Sequence, residues 1–170
     1  VDKKHLISKI SISLPSFPFY IVLSEAFSFA ITMALFMIFL LVIGIPMTWS
    51  LLWAPAVFAV QQIFAYALGL LLATLTVFLR DLREIVGIVI QLWFWFTPIV
   101  YTANIIPDAF KSLLYLNPAY IFVGAFQNIF FHSAPPDFKA LIVLTILGHV
   151  LLLVGYLLFK KLERDVRDFL

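Results

Sequence analysis

Cysteine is absent from the 170 residues, so neither a disulfide framework nor a thiolate metal site can be built. Charge is nearly as scarce. Asp, Glu, Lys and Arg make up 12% of the chain, against about 25% in ordinary soluble domains. The net charge of +2 supplies no basic field for nucleic acid. None of the six glycines is followed by lysine, so the chain has no Walker-type cradle for ATP. HExxH and GxSxG are missing too. The three histidines, His5, His132 and His149, lie far apart, and no two acids share a helix face inside the apolar runs. The sequence therefore offers no catalytic set, no metal set and no cofactor site of its own.

What fills the chain is apolar. Hydrophobic residues make up 64% and aromatic residues 17%, and the mean hydropathy is +1.11. A soluble domain of this size cannot hide so much apolar surface, so the expected class is an all-α integral membrane protein. Between Ala26 and Leu79 there is no Asp, Glu, Lys or Arg, which is enough for more than two bilayer crossings at about 20 residues each. Gly44-Ile45-Pro46 breaks that run beside Trp49 and Trp53, which suits a short interfacial loop. The expected spans are residues 20–43, 51–79, 85–101 and 138–159. Residues 1–19 form a basic lead-in in which Pro15 and Pro18 end any helix, and residues 160–170 form a polar tail.

Within residues 102–137, Leu113 to Pro136 carries no formal charge and is long enough to span, yet it holds Asn117-Pro118, Gln127, Asn128, His132 and Pro135-Pro136. Basic residues decide between four spans and five. Four spans put both ends and the Arg80-Asp81-Leu82-Arg83-Glu84 loop on one side. That side then holds Lys3, Lys4, Lys9, Arg80, Arg83, Lys160, Lys161, Arg164 and Arg167, leaving Lys111 and Lys139 opposite. The positive-inside rule makes the first side cytoplasmic. Residues 102–137 become a re-entrant pair of short helices on the outer side. Such backbone survives only when buried in protein or beside a watery cavity, so an outer cavity is expected.

Several motifs now stand in order along the chain. They are Val77-Phe78-Leu79-Arg80-Asp81, the aromatic run Trp93 to Pro98, and Asn117-Pro118 within LLYLNPAYIFVGAFQNIFF. KKHLISKISISLP precedes them and KKLERDVRDFL closes the chain. This pattern resembles the later part of the type-2 ATP-binding-cassette export permeases, in the branch exporting lipid-linked polysaccharides such as O-antigen, capsule or teichoic acid. Members of that family carry two further spans before this point, so the chain is expected to be part of a six-span permease, incomplete at its N-terminus. Gln127 stands where many members carry Arg.

The resemblance implies a homodimer in a bacterial cytoplasmic membrane. Each copy docks a cytoplasmic ATPase subunit that binds the ATP, and the cargo is a lipid-linked glycan. Arg80, Asp81, Arg83 and Glu84 are the expected ATPase contacts, since alternating charge sets register with a partner; a plain solvated loop is the alternative. Gln91, Trp93, Trp95, Tyr101 and Tyr120 are the expected substrate path. Trp93 and Trp95 are about 200° apart around a helix, so one of them lines the path and the other packs. Sugars pack apolar faces on rings without needing one hydrogen-bond pattern, which suits a sliding polymer. An interfacial aromatic belt is the competing reading. Glu25, Gln61, Gln62 and His149 are further polar residues inside the spans. An exporter of drugs or small lipids, and a membrane anchor that transports nothing, remain alternatives.

Overall fold

Apolar residues on every face of residues 16–42 leave that segment no solution but a helix surrounded by hydrocarbon or protein. The computed structural model describes residues 16–45, 48–79, 81–99, 101 and 106–169, apart from the side chains of 108–110 and 163–169. Arg80 and residues 1–15, with Lys3, Lys4 and Lys9, lie outside the described residues, as do the side chains of Arg164 and Arg167. The described secondary structure is all helical: α1 (Ser16–Val42), a 3-10 helix (Trp49–Trp53), α2 (Ala54–Thr76), α3 (Leu82–Phe96), α4 (Asp108–Leu114), α5 (Pro118–Phe131) and α6 (Phe138–Phe169).

Among the described residues, three helical segments are long and apolar enough to cross a membrane: Ser16–Val42, Trp49–Thr76 and Phe138–Leu162. α1 starts ahead of Pro18, which the sequence reading took as a stop. The first turn of a helix has no internal partner for its N–H groups, so proline fits there, and Pro18 is buried with its Cβ near Gly69. At the other end, Gly44 takes φ 77. Ile45 N donates to Leu40 O at 3.0 Å and Gly44 N to Leu41 O at 3.1 Å, which closes α1 in a Schellman motif.

α2 and α6 form the centre of the bundle. Trp53 meets Phe138 edge to face, Gly148 sits against Phe64, and Gly155 sits against Leu71. Residue numbers rise together along these contacts, so the two helices run parallel. A Cβ at position 155 would lie 3.3 Å from Leu71 N, so any larger residue requires the helices to give by a few tenths of an ångström. α1 runs antiparallel to α2, with Phe19 on Tyr66 and Phe29 stacked on Phe58. α5 is also antiparallel to α2. It starts near Phe64, where Phe122 packs, and rises until the Ser50 hydroxyl donates to Ile129 O at 3.0 Å. The core joins Val57, Phe64, Phe122, Ala125, Ile129, Leu141 and Leu144.

α3 and α5 are short. At 15 and 14 residues they span about 22 and 21 Å, less than the ~30 Å hydrocarbon thickness. α3 also has no buried residue along its length. α6 instead continues past the expected end at residue 159 and stays helical through KKLERDVRDF, whose Lys, Glu and Arg are good helix formers.

Candidate functional site

The site grows from a broken helix end. The residue before a proline is driven out of the helical region, and Thr97 accordingly takes φ −97, ψ 123. α3 therefore stops at Phe96 and does not reach Tyr101 as its apolar run predicts. A helix end leaves its last carbonyls without internal partners. Here three of them, on Trp93, Phe94 and Trp95, are served by the protein. Trp93 O accepts from Thr97 Oγ1 at 2.7 Å and from Asn117 Nδ2 at 3.1 Å. Phe94 O accepts from Thr97 N at 3.2 Å, and Trp95 O from the Tyr101 hydroxyl at 3.0 Å.

Asn117 does a second task. Its Oδ1 accepts from Ala119 N at 3.0 Å and caps α5, with Pro118 in the first turn. Its Nδ2 also donates to Thr97 Oγ1 at 2.8 Å. Asn117 is 4% exposed and Thr97 1%. The Thr97-Pro98 and Asn117-Pro118 pairs, separate signals in the sequence, are one structural unit.

Beside this unit lies a cleft of about 640 Å³. Tyr101, Tyr115 and Tyr120 supply rings to its lining, and Gln127, Asn128, His132 and Asp137 supply polar groups. Tyr115 and Tyr120 meet edge to face at 5.5 Å. Gln127 Nε2 reaches Pro98 O at 3.4 Å, a long bond. Asp137 Oδ1 caps α6 by accepting from Lys139 N and Ala140 N. Among the described residues, no lysine or arginine lines the cleft. Rings, two amides, an imidazole and one carboxylate suit hydroxyl-rich chemistry.

The sequence-predicted path residues therefore separate. Tyr101 and Tyr120 meet at the cleft. Trp93 contributes its carbonyl to the Asn117 unit. Trp95 is 61% exposed, and Gln91 is exposed on α3; neither lines the cleft. Tyr115 and Asp137 carry no role in the sequence reading, and Asn128 appears there only among the polar residues of the re-entrant segment. The other polar candidates are scattered. Glu25 is exposed on α1, Gln61 Oε1 is buried without a hydrogen-bond partner, and His149 Nδ1 donates to Thr145 O at 2.7 Å.

At the opposite end, Asp81, Arg83 and Glu84 are exposed at the α2–α3 turn. Lys160 and Lys161 are exposed on α6. The parallel register of α2 and α6, with Gly155 against Leu71, brings these lysines level with the end of α2. Among the described residues, no group of His, Cys, Asp and Glu is arranged to hold a metal ion.

Residues 3–131 match the family model described as ABC-2 type transporter. The chain belongs to that family. Among curated proteins it is 30% identical over 150 residues to the O-antigen export system permease protein RfbA of Klebsiella pneumoniae, covering 88% of this chain and 58% of the relative. It is 30% identical over 169 residues to the protein of the same name from Myxococcus xanthus, covering 98% of this chain and 65% of the relative. The chain thus spans less than two thirds of the length of these relatives. As an ABC-2 type transporter with three long apolar helices, it is a multi-pass membrane protein.

Proposed function

We propose that this chain is the membrane-spanning part of a permease that exports a lipid-linked polysaccharide, of the O-antigen, capsule or teichoic acid kind, across the bacterial cytoplasmic membrane. The driving ATP is bound and hydrolysed on a separate ATPase subunit, and two copies of the permease enclose the route. The observation that carries this reading is the cleft walled by Tyr101, Tyr115 and Tyr120, with polar groups and, among the described residues, no lysine or arginine in its lining. Rings hold sugar faces without fixing one register. The amides and the carboxylate exchange hydrogen bonds with hydroxyls as the polymer moves. The names of the relatives support the same cargo class.

The proposed topology has four spans, with α3 as the short one, and α4 and α5 as a re-entrant pair. Support comes from the 14-residue length of α5 and from its course, which starts near the middle of α2 and ends at the 3-10 helix. The end bearing Arg83, Lys160 and Lys161 is then cytoplasmic. Asp81, Arg83 and Glu84, with Arg80 beside them, meet the ATPase there. α3 links that contact to the cleft.

The test is a strain lacking this gene. Lipid-linked glycan should accumulate inside the cells and surface glycan should disappear, with both reversed by the intact gene. Normal surface glycan in the deletion strain would remove polysaccharide as the cargo and leave a drug or small-lipid exporter.

A further inference from the structure

α3 is held almost entirely by its two ends. Its start is tied covalently to α2 through the charged turn, and no residue between Leu82 and Phe96 is buried. At its far end the Asn117 side chain donates to Trp93 O and Thr97 Oγ1 while its Oδ1 caps α5 at Ala119 N. One buried amide therefore grips two helices, and it uses both of its polar atoms to do so. The bond to Thr97 Oγ1 is buried and those to Trp93 O and from Ala119 N are partly buried, so releasing these groups unpaired would be costly. Neither Asn117 nor Thr97 lines the cleft, whereas Pro98, Tyr120 and Ile121, each next to one of them or one turn away, do.

We propose that Asn117 is a positioning residue that makes the end of α3 and the start of α5 move as one body. A displacement entering α3 at Asp81 to Glu84 then reaches the Tyr120 wall of the cleft instead of being absorbed by a loose joint. The joint alone is a claim about this chain; its use in transport rests on the exporter reading above.

Cap and clip are separable by substitution. Ser and Asp cap helices about as well as Asn. Serine is too short to reach α3, and aspartate has no N–H to donate to Trp93 O. Asn117→Ser therefore keeps the start of α5 and loses the clip, while Asn117→Asp keeps the cap, loses the bond to Trp93 O and can only accept from the Thr97 hydroxyl. Thr97→Ser keeps the hydroxyl and serves as the conservative control, while Thr97→Val removes it.

The chain has no cysteine, so spin labels can be placed cleanly at Ile88→Cys on α3 and Phe131→Cys on α5, both well exposed. Labelled permease is diluted with unlabelled permease, assembled with its ATPase in liposomes, and measured without nucleotide and after trapping with ATP and vanadate. With Asn117 intact, and with Thr97→Ser, one narrow label-to-label distance is expected in both states. With Asn117→Ser or Thr97→Val the distribution should broaden even without nucleotide. Export per ATP hydrolysed should then fall by about fivefold or more, the lower end of ordinary coupling between sites, with ATPase binding unchanged. Unchanged distances in both Asn117 variants, or a distance that shifts with nucleotide in the unsubstituted protein, would overturn the proposal. The nucleotide-free distances judge the joint even if no glycan is exported, so a failure of the exporter reading shows separately as absent export by the unsubstituted protein.

Discussion

Tyr101 donates its hydroxyl to the carbonyl of Trp95 at 3.0 Å, bridging the Thr97-Pro98 break. The bond fixes one wall of the cleft and satisfies a carbonyl at the end of α3. Tyr101→Phe keeps the ring and loses that bond, a change of about 0.5–1.5 kcal/mol. The expected outcome is a modest loss of thermal stability with a measurable drop in export.

Tyr120 contributes a ring to the same cleft. Tyr120→Phe should export close to the unsubstituted rate, and Tyr120→Ala should be severely impaired. A lost aromatic stack costs roughly 1–3 kcal/mol where bases are the ligand, and sugars fall at the lower end. Trp95, 61% exposed and outside the cleft, separates the two roles open to the aromatic run. If it is an interfacial anchor, Trp95→Phe alters stability and leaves export per folded permease unchanged. Export rates normalised to folded protein check each variant. Equal export by Tyr101→Ala, Tyr120→Ala and the unsubstituted chain would mean that the rings only pack.

The long spans were readable because an uncharged apolar run of bilayer length has few alternatives. Three long apolar helical segments, Ser16–Val42, Trp49–Thr76 and Phe138–Leu162, fall on those runs, although α6 continues beyond its run. The end of α3 was not readable from hydropathy, since Ile99 and Tyr101 continue the apolar pattern, but Pro98 overrides it through the backbone of Thr97. Pro18 misled in the opposite sense, because position within the first turn decides whether proline breaks a helix. The Asn117–Thr97 bond joins residues 20 apart in sequence. Periodicity carries no trace of such a pair, although two X-Pro steps with polar partners mark its ends. Asp137 was overlooked as a cleft residue because it reads simply as the boundary of the last helix.

Gly155 gives a packing test. With 3.3 Å between a Cβ at this position and Leu71 N, Gly155→Val should separate α2 from α6 and cost about 1–3 kcal/mol. Gly87 has open space around it, so Gly87→Ala should be neutral or slightly stabilising. Thermal midpoints of the two purified variants in one detergent compare them directly. Equal midpoints would contradict the parallel α2–α6 contact as the centre of the bundle.

Sidedness can be read on intact cells with an impermeant thiol reagent. Ser112→Cys on α4 should label from outside, and Lys161→Cys on α6 should label only after the cells are opened; both positions are exposed in the fold. External labelling of Lys161→Cys would reverse the proposed orientation.

The charged turn should matter to the ATPase more than to folding. Alanine at both Asp81 and Arg83 is expected to leave membrane insertion intact and to weaken ATPase association, with the deficit shrinking as salt is raised, because salt screens the exposed charges of the unsubstituted turn. Association measured by co-purification across a salt series checks this, and salt-independent, undiminished binding would make the turn a solvated loop.

The central claim is ATP-driven movement of a lipid-linked glycan through this permease. Its most direct test uses proteoliposomes holding the permease and its ATPase, with lipid-linked O-antigen-type glycan in the membrane and a lectin on the receiving side. The account predicts lectin-accessible glycan that appears only with ATP, stops with vanadate, and falls sharply with Tyr120→Ala. Glycan that stays inaccessible while a bound ATPase hydrolyses ATP, or that crosses equally well without ATP, would contradict it.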